Sequence, residues 1–232
     1  MSSALDESKE IIMHRPTIRV AIVAAFLSCT SVAIVSTPAV ADSGGISQLL
    51  GGASDQALDK LSQPGAFYSD KAVRILLPGP LKKASKLLKL TGKSGLTKDL
   101  TKSMNEVASL AAKEAKPIFR RAIDDINLKD GIGIAKEGDG ATQYLRDSSG
   151  DALRDKIRPL VSKSMGDTGT FDQLDKLNSI KGISKLGVSS DDVTDHITRK
   201  TMDGIFKYIA AEESKVRKNP LKALGGLKGI LK

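Results

Sequence analysis

The spacing of apolar residues through most of the chain admits one kind of backbone. Leu96, Leu100, Met104, Val107 and Ala111 step by four or three. That spacing lines one face of an α-helix, whereas a strand would scatter the same residues over both of its faces. Ile118, Phe119, Ala122, Ile123 and Ile126 continue the pattern after Pro117, and Leu153, Ile157, Leu160, Val161 and Met165 form another stripe around Pro159. Proline removes a backbone donor and crowds the preceding turn, so a break or kink is expected near Lys116 and again at Pro159. Val193, Ile197, Thr201, Ile205 and Ile209 stand four apart with Phe206 beside them. This helix is expected to be the longest, with Ser190 as N-cap and Asp191 and Asp192 in its first turn. Asn219-Pro220 predicts a short final helix. No region sustains period-two alternation. The nearest is AVRILL at 72–77, closed by Pro78-Gly79-Pro80, which reads as a short extended segment. Glycine-rich joints stand at 131–140 and 182–187. The expectation is an all-α, single compact multi-helix domain of roughly six to nine helices.

The front of the chain reads differently. Residues 20–35, VAIVAAFLSCTSVAIV, carry no charge; His14, Arg15 and Arg19 precede them, and Pro38, Ala39-Val40-Ala41 and Asp42 follow. A positive region, an apolar core and a small-x-small end make a secretory signal peptide, expected to be cleaved after Ala41. Asp6, Glu7 and Glu10 are the wrong charge for such a front, so Met13 is the better start, giving a leader of 41 − 12 = 29 residues. Two alternatives stand beside this: an uncleaved N-terminal membrane anchor, and a lipoprotein acylated at Cys29. The domain is then 42–232, or 232 − 41 = 191 residues, and the expected location is the periplasm. At that size one core can bury about 70% of the unfolded surface.

Composition narrows the chemistry. The chain has 1 Cys and 2 His, and Cys29 and His14 both fall in the leader, so zinc-finger and iron–sulfur sites are excluded from the domain. Removing the leader leaves 33 − 24 = +9, so the whole positive excess belongs to the domain. Aromatic residues are 3% with no Trp, too few for the stacking that nucleic-acid binding uses.

Ala72-Val73-Arg74-Ile75-Leu76-Leu77-Pro78-Gly79-Pro80-Leu81, the helix through Met104-Asn105, Glu114-Ala115-Lys116-Pro117-Ile118-Phe119, Gly138-Asp139-Gly140-Ala141-Thr142-Gln143-Tyr144-Leu145, Thr201-Met202-Asp203-Gly204-Ile205-Phe206, Glu212-Glu213 and Asn219-Pro220 follow in order. Together they resemble an uncharacterised bacterial family, the domain of unknown function family 4197, from about Ile46 to about Leu231. The resemblance implies an export signal, and it implies no reaction, substrate or catalytic residue.

The motifs that resemble chemical sites each lack an essential residue or partner. LLKLTGKS at 87–94 has the Gly-Lys-Ser end of a phosphate-binding loop, but Leu87 stands where the first glycine must be and no strand precedes it. It reads instead as a helix end capped by Gly92. The stretch 125–137 would place Lys136 at the twelfth position of a calcium loop and Asp130 at the sixth, where a carboxylate and a glycine are needed. His196, with Asp192 and Lys200 four residues to either side, reads as a partly packed, surface-tilted histidine. Adjacent carboxylates on a helix diverge, so Asp124-Asp125 and Asp191-Asp192 are not acid–base dyads. Glu212-Glu213 are expected in ion pairs with Lys215, Arg217 or Lys207. No catalytic residue, metal ligand, cofactor or nucleotide site is expected.

What remains is charge. Residues 71–102 hold nine basic residues and one acidic residue, Asp99. Lys82, Lys83, Lys86 and Lys89 alternate with Leu81, Leu87, Leu88 and Leu90, and the tail repeats the theme with Lys218, Lys222 and Lys228 among leucines. Basic amphipathic helices lie on anionic membrane surfaces. The expected role is non-catalytic binding of an anionic envelope component, lipid or protein, through Lys82, Lys83, Lys86, Lys218, Lys222 and Lys228. The alternative is a small-ligand site, or an enzyme pocket, drawing on Arg74, Gln143, Tyr144 and Arg146, with Asp139 as the cap that starts their helix.

Overall fold

The computed structural model describes residues 43–90, 92–126 and 137–219, all of which lie in one unit, Pro38–Lys232. Expectations for 1–41, for 131–136 and for the tail beyond Asn219, including Lys222 and Lys228, lie outside the described residues. Among the described residues there are seven α-helices and no strand, as the apolar spacing requires. They are α1 (Ser43–Leu61), α2 (Ala66–Ser69), α3 (Gly79–Leu90), α4 (Gly95–Asp124), α5 (Gly140–Asp167), α6 (Thr170–Asn178) and α7 (Ser190–Lys218).

Four long helices form the body. α4 packs against α1, α5 and α7, while α7 also packs against α1 and α5. Each helix contributes the stripe its sequence spells: Leu50, Leu58 and Leu61 from α1, Leu100, Met104 and Phe119 from α4, Leu145, Leu153 and Ile157 from α5, and Val193, Ile197 and Ile205 from α7, all buried. Phe119 meets Phe206 edge-to-face, with ring centroids 5.7 Å apart. α2 packs on α4, and α6 on α4 and α5.

The two prolines do not divide their helices. α4 runs through Pro117 and α5 through Pro159 without a break. The reason is their facing. Both prolines are exposed, and so are Lys113 and Asp155, whose carbonyls lose their helical donors. Water can serve those carbonyls, while buried Ala115 and Phe119, or Ile157 and Val161, hold the helix to the core on the other side. As a result α4, at 30 residues, exceeds α7, at 29.

Two caps also differ from expectation. Ser189, not Ser190, caps α7: its Oγ accepts from the Asp192 N–H at 3.1 Å, and the Asp192 carboxylate accepts from the Ser189 N–H at 3.0 Å, a closed capping box. Asp139 precedes α5 but makes no side-chain cap. The cap comes from Glu213 on α7, whose Oε1 accepts from the Ala141 N–H at 3.1 Å and whose Oε2 accepts from the Thr142 N–H at 2.8 Å. A carboxylate at a helix N-terminus satisfies orphan donors and complements the dipole, and it can be delivered from any distance in sequence.

The 74–78 segment is non-helical, and burial alternates along it: Val73, Ile75 and Leu77 are buried, while Leu76 is 55% exposed. Among the described residues its backbone has no strand partner. Fully buried Asn105 substitutes for one: its Oδ1 accepts from the Ile75 N–H at 2.8 Å, and its Nδ2 donates to the Ile75 carbonyl at 2.8 Å and to the Thr101 carbonyl at 2.7 Å. Gly204 completes the arrangement. A Cβ there would stand 2.7 Å from Phe67 Cε1 and 3.4 Å from Val73 Cβ, so glycine in mid-helix lets Phe67 of α2 and Val73, just before the 74–78 segment, seat against α7.

Candidate functional site

α3 carries the densest uncompensated charge. Leu81, Ala84 and Leu88 turn inward. Lys83, Lys86, Leu87 and Leu90 recur at the i, i+3, i+4, i+7 spacing of a single face, and that face is exposed, with Leu87 51% and Leu90 86% accessible. α3 ends as expected at Gly92, in the left-handed region (φ 73°), and the Lys93 N–H donates to the Leu88 carbonyl at 2.9 Å. Lys82, Lys83, Lys86, Lys89, Lys93, Lys98 and Lys102 are all exposed, and among the described residues none has a carboxylate within 4.0 Å. Lys113, Arg121 and Lys156 also lack such a carboxylate among the described residues, but they stand apart from one another, and other cations are paired. Lys60 reaches Glu212, Lys116 reaches Asp59, Arg120 grips Asp55, and Arg158 bridges Asp191 and Asp195. Lys218 is exposed in the last turn of α7, again with no such carboxylate among the described residues.

The glutamate pair is structural. Glu212 receives Lys60 at 2.6 Å and Lys215 at 2.9 Å. Burial pushes its carboxyl upward, but the hydrogen bonds and charges of the two lysines outweigh that, and it sits below its ordinary value. Glu213, with no exposed side-chain surface, takes Arg217 at 2.7 Å and the Thr142 hydroxyl at 2.6 Å besides the two α5 amides. Lys207, the third partner considered, donates instead to the Ala72 carbonyl at 3.3 Å.

The residues of the expected ligand pocket do not converge on one cavity. Gln143 and Arg146 line a shallow groove of about 420 Å³ with Asp203 and Lys207. Tyr144 points to another groove of about 280 Å³, with Ala122 and Ser148. Residues 143 and 146 share one face of α5, and residue 144 is turned away from it. Gln143 donates to Asp139 at 3.0 Å; Arg146 pairs with Asp203 at 3.4 Å and stacks 4.8 Å from the Phe206 ring centroid.

Arg74 lines a third groove, of about 320 Å³, with Leu76, Lys82, His196, Lys200 and Lys207. Its guanidinium donates to the Tyr68 carbonyl, reaches the Ser69 carbonyl at 3.4 Å, and stacks 4.9 Å from the Tyr68 ring centroid. His196 is half-buried, with Nε2 2.8 Å from the Leu76 carbonyl. Burial pushes its pKa down; the Leu76 carbonyl opposes this, and Arg199, Lys200 and Lys82 add to it. The charged form of the ring is thus disfavoured, and because a carbonyl can only accept, Nε2–H donates to Leu76. Nearby, Asp70 accepts from the Tyr208 hydroxyl at 2.7 Å and the Ala72 N–H at 2.8 Å, which lower its pKa, while Tyr208 is pushed up to about 12.

Sequence reasoning missed Lys200, Asp203 and Lys207 as groove residues. They lie on the polar side of α7, and only the return of the 72–77 segment against that side makes a groove of them. Among the described residues no helix is long and apolar enough to cross a membrane.

Comparison with curated proteins and with solved structures returns no match. The family model described as "Protein of unknown function (DUF4197)" matches residues 39–227, which span the capping Glu213, the Asn105 clamp, Gly204 and the α3 lysines alike. The chain belongs to this family.

Proposed function

We propose that the protein is an exported, non-catalytic binder of anionic envelope surfaces, and that the outer face of α3 makes the contact. One observation carries this reading: two exposed leucines, Leu87 and Leu90, sit among lysines that no carboxylate of the described residues approaches within 4.0 Å. Water solvates the lysines but not the two leucines, whereas an anionic bilayer rewards both. Each lysine near the headgroups contributes about 1 kcal/mol, and the leucines can enter the acyl boundary. The acid–base candidates among the described residues are committed elsewhere: Glu212 and Glu213 to cations and a helix end, His196 Nε2 to a carbonyl. That supports binding over catalysis. Export rests on the leader read at 1–41.

The test is co-sedimentation with vesicles of phosphatidylcholine, with and without phosphatidylglycerol. Binding is expected only with the anionic lipid, lost near 1 M salt where the screening length falls to about 3 Å. Removal of 220–232, with Lys222 and Lys228, is expected to weaken it further. Equal affinity for neutral and anionic vesicles contradicts the reading.

A further inference from the structure

The groove beside His196 has no part in the α3 surface reading except through Lys82. Three of its cations lack a neutralising carboxylate. Arg74 is held by the carbonyls of Tyr68 and Ser69, Lys207 donates to the Ala72 carbonyl, and among the described residues none of Arg74, Lys207 and Lys82 has a carboxylate within 4.0 Å. The fourth, Lys200, pairs at 3.2 Å with Asp203, the one carboxylate among the described residues that lines the groove; Asp203 is also paired with Arg146, so the four cations face a single, shared negative charge. Asp70 feels both Lys207 and Arg74, but its oxygens are taken by Tyr208 and the Ala72 N–H, and it does not line the groove. The cations come from three separate elements: the 72–77 segment, α3 and α7. The wall between them is apolar, formed by Val73, Leu77 and the half-exposed Leu76.

We propose that this groove binds a phosphate group, with Arg74, Lys82, Lys200 and Lys207 around the anion and Leu76 against the apolar part of its ester. The volume, about 320 Å³, is at the small end of ligand pockets, which run from about 300 to 1,000 Å³. Lysine acts toward phosphate as a movable point charge, so side chains that reach in from separate elements suit the role. The phosphate could be a phospholipid headgroup or a free phosphomonoester; the chemistry of recognition is the same. The site shares Lys82 with α3 but can be tested apart from its outer face, since Lys200 and Lys207 belong to α7.

His196 reports on the groove from inside it. The full-length protein is followed by NMR of the imidazole signals, with His196→Asn assigning the relevant one. Inorganic phosphate is titrated against chloride at matched ionic strength, and then bicelles with and without phosphatidylglycerol are compared. A saturable His196 shift with phosphate and not chloride is expected, and Lys200→Gln/Lys207→Gln raises the half-saturation point at least tenfold. Lys83→Gln/Lys86→Gln, on the outer face of α3, leaves it unchanged. A shift with phosphatidylglycerol bicelles as well supports the headgroup source; a shift with phosphate alone supports a free phosphomonoester. Identical responses to phosphate and chloride, or an unchanged half-saturation point in the α7 double variant, overturns the proposal. Vesicle co-sedimentation separates the two ideas: persistence of binding alongside a missing phosphate response removes the groove site and leaves the α3 reading standing.

Discussion

Replacing Glu213 with Gln tests how a helix in this fold is started by a residue more than 70 positions away. The carboxylate accepts from Ala141 N–H, Thr142 N–H, the Thr142 hydroxyl and Arg217, and it has no exposed surface. Glutamine keeps the shape but has a single acceptor oxygen. Its NH2 must face donors on one side or the other, so either the Ala141 amide loses its acceptor and Arg217 loses this charge partner, or both Thr142 donors lose theirs. An unsatisfied buried donor costs about 1–3 kcal/mol, and breaking a buried charge pair about 3–5 kcal/mol, terms that overlap rather than add. A loss of about 3–4 kcal/mol is the expected result. Glu212→Gln is the control. Its lysine partners keep 50% and 66% of their side-chain surface in water, so they stay solvated, and the loss should be about 1 kcal/mol. Urea unfolding followed by far-ultraviolet circular dichroism reads both, since the chain has no Trp. With a slope of about 2 kcal/mol/M, Glu213→Gln should move the midpoint down by about 1.5–2 M. Equal losses for the two variants, or a Glu213→Gln loss under about 1 kcal/mol, would refute the idea that this carboxylate caps α5 from within the core.

Three further outcomes follow from the packing and the titrating groups. Gly204→Ala should lose up to about 2 kcal/mol, because overpacking against Phe67 (about 1–3 kcal/mol) exceeds the helix-propensity gain of about 1 kcal/mol. Gly166→Ala, at a helical site with nothing within 4 Å of the new carbon, should gain stability; the two signs are compared by thermal melts. Asn105→Leu should cost about 2–4 kcal/mol, because both Ile75 backbone groups lose their buried partner, and hydrogen exchange at the Ile75 amide should accelerate. Tyr208, raised to about 12, should give a late phase in an ultraviolet phenolate titration, and Tyr208→Phe should abolish it. Its contribution to stability is complete below pH 10.0 and is lost as pH rises toward 12, whereas that of Asp70, whose pKa is lowered, is present above pH 3.8 and is lost as pH falls below that.

Periodicity alone carried the helical class and most of the buried faces, because an apolar stripe at three- and four-residue spacing has no other use in a folded chain. The non-helical character of the 72–77 segment (though 72 and 73 fall in a turn), the Gly92 end of α3 and the pairing of Glu212 and Glu213 with Lys215 and Arg217 were legible because each is set within a few residues. What sequence misjudged depended on facing or on distance. Pro117 and Pro159 look like breaks until their solvent exposure is known. Asp139 looks like the cap of α5 until Glu213 arrives from α7. Gly204 in mid-helix has no meaning before Phe67 is seen against it. The lysine count at 71–102 was plain in the sequence, but Lys60, Lys116 and Arg120 look just as free until carboxylates 152, 57 and 65 residues away are found beside them. The candidate ligand residues divided for a simpler reason. Gln143 and Tyr144 are neighbours in sequence, and neighbours on a helix point apart.

The central claim is that the outer face of α3 binds anionic membrane surfaces. Its most direct measurement is vesicle partitioning of Lys83→Gln/Lys86→Gln/Lys89→Gln against the unaltered protein, with phosphatidylglycerol present and at low salt. At about 1 kcal/mol per lysine, the partition coefficient should fall by about two orders of magnitude, with the helical content of the protein unchanged. A triple variant that binds as tightly as the unaltered protein would contradict the account.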